Sequence, residues 1–101
     1  MSSVGVYYGN YGQSCAQVCA AFQRTCSQGH MRYLNECGIL SEVFGCEMCV
    51  ANEGEDQPAF VTPEAPFESS PGVCLTKTSG VFSGSCAGSH PLTARLCACV
   101  A

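Results

Sequence analysis

The residues with most chemistry to offer are ten cysteines: Cys15, Cys19, Cys26, Cys37, Cys46, Cys49, Cys74, Cys86, Cys97 and Cys99. Thiols at this density serve either as disulfides in an oxidising compartment or as thiolate ligands to zinc or an iron–sulfur cluster. The metal reading rests on Cys46-Glu47-Met48-Cys49, a single C-x2-C, and on Cys97-Ala98-Cys99. A zinc ribbon needs two such knuckles, and His30 and His90 form no H-x3-5-H pair. An even set making up about a tenth of the chain reads instead as five disulfides, with no cofactor and no metal. A cysteine-rich metal-binding protein is the lesser alternative.

Catalytic constellations are scarce. His30 and His90 are the ordinary general bases near neutrality. Ser89 precedes His90 directly, but adjacency in sequence is not triad geometry, and there is no G-x-S-x-G elbow. Paired carboxylates for glycoside hydrolysis would have to come from an acidic stretch with a poor platform for fixed separation. We therefore expect no enzyme and assign no catalytic residue. Tyr7, Tyr8 and Tyr11 cluster before the first helix, where exposed rings can stack on sugar faces or anchor a protein interface. Arg24 and Arg32 flank Cys26 and are expected to form helix-surface ion pairs of little energetic worth.

The elements that position these residues follow from local signals. Residues 4–12 alternate small and aromatic side chains, and 1–12 read as an extended lead-in. Ser14 is an N-cap with Gln17 three residues on, a capping box. Cys15, Val18, Cys19 and Phe22 then make one apolar stripe of a helix of about three turns. A second helix starts near Ser27 with Met31, Leu34 and Tyr33 on its buried side. A third, 40–44, follows Gly38. Residues 51–72 carry Pro58, Pro63, Pro66 and Pro71 with Glu53, Glu55, Asp56, Glu64 and Glu68, and read as an acidic surface loop. They show no ladder of oxygen ligands for calcium. Strands are expected at 73–78, 81–82 and 95–100. Helices first and strands later make a small disulfide-rich α+β domain, one domain over 1–101.

Cysteine spacing adds a tertiary constraint. Cys15 and Cys19 share one helix face at about 5–6 Å. Cys97 and Cys99 share one strand face at about 6.6 Å. Neighbours within either pair are badly placed to bridge each other, whereas the two pairs match. Two parallel bridges should therefore staple the N-terminal helix to the C-terminal antiparallel sheet.

Composition narrows the function classes. Of the 47% hydrophobic residues, about 37% remain without the cysteines, and there is no tryptophan. Four basic against eight acidic side chains give a net charge of −4, which argues against a nucleic-acid binder or a cationic membrane-disrupting peptide. No apolar run approaches a transmembrane span, so no membrane insertion is expected. No signal-peptide pattern opens the sequence. With an oxidised chain, this leads us to expect a mature form, or a part of a larger chain or assembly, in the extracellular space or the secretory-pathway lumen.

Gly12-Gln13-Ser14-Cys15, Val18-Cys19, Cys26 and Leu34-Asn35 open the chain in a way that resembles a particular cysteine-rich module. Its close is similar to Phe82-Ser83-Gly84-Ser85-Cys86-Ala87-Gly88-Ser89-His90-Pro91 followed by Arg95-Leu96-Cys97-Ala98-Cys99. The module is the C-terminal cysteine-rich region of N-acetylglucosaminyltransferase V, the β1,6-branching mannosylglycoprotein enzyme. In that family catalysis and sugar-nucleotide binding belong to a larger two-domain body, so the resemblance carries over no catalytic residue. The family tends to have proline where Ala98 stands, and its further cysteine-bearing tail is missing here. Cys37 and Cys49 stand outside the pattern, and two additions arriving together are expected to pair and cinch the segment around Cys46.

These readings converge on a non-catalytic secreted or luminal module for protein interaction or structural support. A carbohydrate-binding, lectin-like module is the alternative, suggested by the company the family keeps. The expected partner is accordingly a protein or a glycan.

Overall fold

A computed structural model of the chain describes residues 4–52, 54, 56–77 and 85–101. Among them the strands are β1 (Val4–Tyr8), β2 (Thr25–Cys26), β3 (Cys49–Asn52), β4 (Ala59–Val61), β5 (Cys74–Lys77) and β6 (Thr93–Val100). The helices are α1 (Cys15–Ala21), α2 (Gln28–Met31) and α3 (Cys37–Phe44), with 3₁₀ turns at Arg32–Leu34 and Phe67–Ser69. They form an α+β domain around a mixed six-stranded sheet in the order β1-β6-β4-β5-β3.

β6 is the axis of the sheet. Its last five residues pair antiparallel with β1, and on the other side it pairs with β2 at Cys99–Val100 and with β4 at Thr93–Arg95. β4 continues antiparallel to β5, and β5 runs parallel to β3. Thr93 to Cys99 are buried without a break, as expected of a strand covered on both faces. Strand alternation sends Arg95, Cys97 and Cys99 to one face and Ala94, Leu96 and Ala98 to the other. α1 covers the first face. α2 and the 3₁₀ turn after it cover the second, with α3 alongside over β4 and β5, and Met31, Leu34 and Leu40 join Leu96 and Ala98 in one buried core.

α1 forms where its caps dictate. Ser14 Oγ accepts from the Gln17 N–H at 3.2 Å, and Gln17 Oε1 accepts from the Ser14 N–H at 2.8 Å. Cys15, Val18 and Cys19 are buried at the expected spacing. The helix is shorter than the stripe suggested. Gln23 enters the left-handed region at φ 60°, and the Arg24 N–H closes back on the Cys19 carbonyl, a Schellman-type stop. Phe22 is left outside the helix and is 54% exposed.

Other local expectations are corrected by the structure. The extended lead-in contains β1, a full partner of β6. Tyr33, expected on a buried side, is 58% exposed, because the 3₁₀ turn brings Met31 and Leu34 inward at three-residue spacing. α3 begins at Cys37 rather than Leu40. Gly38 does not break it, since its first turn is exposed and only weakly penalised. The helix stops at Gly45, whose φ of 73° suits glycine.

The largest correction falls in 51–72, read as a loop. It holds the end of β3, all of β4 and a 3₁₀ turn. β4 lies between β5 and β6, with Ala59 and Val61 buried. Its prolines bracket the strand instead of interrupting it, Pro58 before and Pro63 after, and three residues are too few to show a period. The strand expected at 81–82 lies outside the described residues.

Candidate functional site

All ten cysteines are in bridges. Cys15–Cys97 and Cys19–Cys99 run side by side from α1 to β6, with Cα separations of 5.4 and 5.5 Å. Cys37 pairs with Cys49 and ties the start of α3 to β3. Cys26–Cys86 and Cys46–Cys74 complete the set. Cys26–Cys86 holds β2 to the loop before β6, and Cys46–Cys74 holds the turn after α3 over β5. Spacing offered no signal for these last two, because even cysteine counts do not encode connectivity. Among the described residues no three His, Cys, Asp or Glu side chains converge to hold a metal ion.

The three tyrosines are not brought into one patch. Tyr7 is half-buried on the α1 face, its ring 4.5 Å from that of Phe22, with the Arg24 guanidinium 5.5 Å above it. Among the described residues, this cation–π contact and not an ion pair is what Arg24 makes. Arg32 likewise lies over the ring of Tyr33, at 5.0 Å. Tyr8, next in the strand, points to the opposite face and is 59% exposed, its edge against Phe44 at 5.6 Å. Tyr11 is exposed in the turn after β1.

Tyr8 instead joins a feature that spacing did not reveal. Phe44 at the end of α3 stacks on Phe60 of β4, with centroids 5.1 Å apart and planes 7° from parallel. Tyr8, Phe44 and Phe60 thus make an aromatic row across the sheet face. The Cys46–Cys74 bridge fixes the geometry, because Phe60 is in register with Cys74. Beside the row runs a groove of about 570 Å³ lined by Phe44, Met48, Phe60, Pro63 and Pro71, with Glu47. Met48 is 61% exposed there. All eight acidic residues of the chain lie between positions 36 and 68, and all four basic ones lie outside that stretch. The groove belongs mostly to this acidic segment. The one sequence signal was a methionine beside an acid inside the C-x2-C.

The histidines serve their own turns. His30 Nδ1 lies 2.6 Å from Ser27 Oγ, and His90 Nδ1 accepts from the Leu92 N–H at 3.1 Å. Neither bonds a carboxylate among the described residues.

No family model matches the chain, and no curated protein matches it. The structure itself defines a small, five-disulfide α+β domain, a build suited to an oxidising extracellular or luminal setting. Among the described residues no helix is long and apolar enough to cross a membrane.

Proposed function

We propose that this chain is a non-catalytic, secreted or luminal interaction module. Its groove beside Phe44 and Phe60 takes an extended segment of a partner protein, with apolar side chains flanked by Lys or Arg. The observation that carries this reading is an exposed apolar groove lined mostly by a segment that holds every acid of the chain and no base. Apolar anchors supply the affinity, and the acidic surroundings steer a basic partner and set its register. Cys37–Cys49 and Cys46–Cys74 hold the groove walls in place before binding, which lowers the ordering cost of association. In line with the resemblance to a glycosyltransferase's cysteine-rich region, the module would act as an accessory to a larger body rather than as a catalyst.

Selection from a random peptide display library tests this. Enriched peptides should combine Lys or Arg with apolar residues, bind less tightly as salt is raised, and lose binding to Met48→Glu. Enrichment of acidic peptides, or binding indifferent to Met48→Glu, would overturn it. Saturable binding on a glycan array, lost when Tyr7, Tyr8 and Tyr11 are changed to alanine, would favour the lectin-like alternative.

A further inference from the structure

β1 forms one edge of the sheet, and its register with β6 runs unbroken from Val4↔Val100 to Tyr8↔Leu96. The β6 backbone fixes which groups of β1 are used. The Ala98 carbonyl accepts from the Ser27 N–H at 2.9 Å, and the Leu96 N–H donates to the Pro58 carbonyl at 3.1 Å. Both residues therefore turn their backbone groups away from β1. Cys97 and Cys99, the alternate residues, face β1 and make hydrogen-bonded pairs with Tyr7 and Gly5. Val4, Val6 and Tyr8 are left with their N–H and C=O groups pointing out of the sheet. Among the described residues nothing bonds to these groups.

Sheet edges template further pairing, so proteins ordinarily blunt them with a charged side chain, a proline or a bulge. β1 has none of these. The first charged residue of the chain is Arg24, and the first proline is Pro58. The side chains of Val4, Val6 and Tyr8 share one face of the strand and are all exposed.

What fits this edge follows from its symmetry. The outward groups occupy alternate positions centred on Val6. A second β1 laid antiparallel about a twofold axis places Val6 opposite Val6, and Val4 opposite Tyr8, of the second copy. Outward N–H then meets outward C=O at each of these pairs, with Cα atoms about 5.5 Å apart. The side chains match too, because an aromatic ring opposite a β-branched residue is a favourable cross-strand pair and no like charges face each other. A strand of unrelated sequence would have to supply the same uncharged alternation. A second copy has it in register, and because the same patch is used on both copies the assembly closes at two.

We propose that β1 is a dimerisation strand, through which two copies of this chain join their sheets by way of Val4, Val6 and Tyr8. The surface is distinct from the groove beside Phe44 and Phe60, so either can fail without the other.

Sedimentation equilibrium and amide hydrogen exchange of the whole chain test it. A monomer–dimer equilibrium is expected within about 1 μM to 1 mM. The Gly5 and Tyr7 N–H groups bond β6 and should exchange slowly at every concentration. Those of Val6 and Tyr8 should slow about tenfold or more as the dimer forms. Val6→Lys sets like charges opposite each other, and Val6→Pro removes an outward N–H without touching the ladder to β6. Each should weaken dimerisation about tenfold or more. Phe67→Ser, which removes a phenyl ring that is 92% exposed elsewhere on the surface, should leave it unchanged. The exchange measurement on the unmodified chain stands even where a variant fails to fold. A monomer throughout that range, Val6 and Tyr8 amides indifferent to concentration, or a dimer that survives both folded Val6 variants or is lost with Phe67→Ser would overturn the proposal.

Discussion

The two sides of the central sheet are held in different ways. On the α1 side, two parallel bridges are completely buried, and each closes a loop of about eighty residues, with separations of 82 and 80. On the α3 side, Cys37–Cys49 spans 12 residues and Cys37 is exposed. The α1 side ties the ends of the chain together, and the α3 side braces a surface. Chain entropy makes the difference quantitative. Loop closure is worth about 4.5 kcal/mol for the longer loop, which the two parallel bridges share, and about 3 kcal/mol for the shorter.

The sharpest way to break this comparison is to remove Cys15–Cys97 with paired serines. Because Cys19–Cys99 still closes nearly the same loop, chain entropy supplies only about 2 kcal/mol of the loss, which should total about 4–5 kcal/mol. Two hydroxyls would also enter a dry core. Denaturant unfolding followed by circular dichroism measures the change, and a loss smaller than that for the Cys37–Cys49 pair would reverse the comparison. Changing Cys37 and Cys49 to serine should lower stability by about 3 kcal/mol and leave the other four bridges intact on peptide mapping. Under mild reduction this bridge should also open first, since a thiolate must reach the sulfur it attacks. Labelling of the buried α1 cysteines before Cys37 would contradict that order.

Smaller changes sharpen the contrast. Ser14→Ala removes the cap of α1 and should reduce stability by about 1 kcal/mol, visible as a shift in the denaturation midpoint. Met48→Glu should change stability by no more than about 0.5 kcal/mol, because the side chain is mostly in solvent. The same change should abolish binding of the display-selected peptides. Loss of stability together with binding would mean that Met48 belongs to the core of the α3 side rather than to a docking surface.

Residues with local or strictly periodic relations are legible in the amino-acid sequence. Ser14 and Gln17 cap each other three residues apart, and Cys15, Val18 and Cys19 share a face through helix periodicity alone. The pairs 15/19 and 97/99 add one long-range constraint, because two matched spacings on regular elements admit few partners. Residues whose roles depend on distant segments are not legible in this way. Phe44 and Phe60 stack across 16 positions of sequence only because α3 lies over β4. Gln57 reads as one more polar residue in an acidic stretch until β4 carries it into the sheet.

The chain alone therefore specified the number of bridges, the first helix, the final strand and the staple between them. Each of these is encoded by neighbours a few residues apart, or by a period that matches one secondary structure. Tertiary packing decided the rest. It paired Cys26 with Cys86 across 60 residues and drew Ala59–Val61 out of a proline-rich stretch into the sheet. It also sent Tyr7 and Tyr8 to opposite faces by placing β1 beside β6. The physical reason is that a three-residue strand or an even set of cysteines carries little local preference. Its state is chosen by the contacts it completes, and those contacts exist only once the chain has folded.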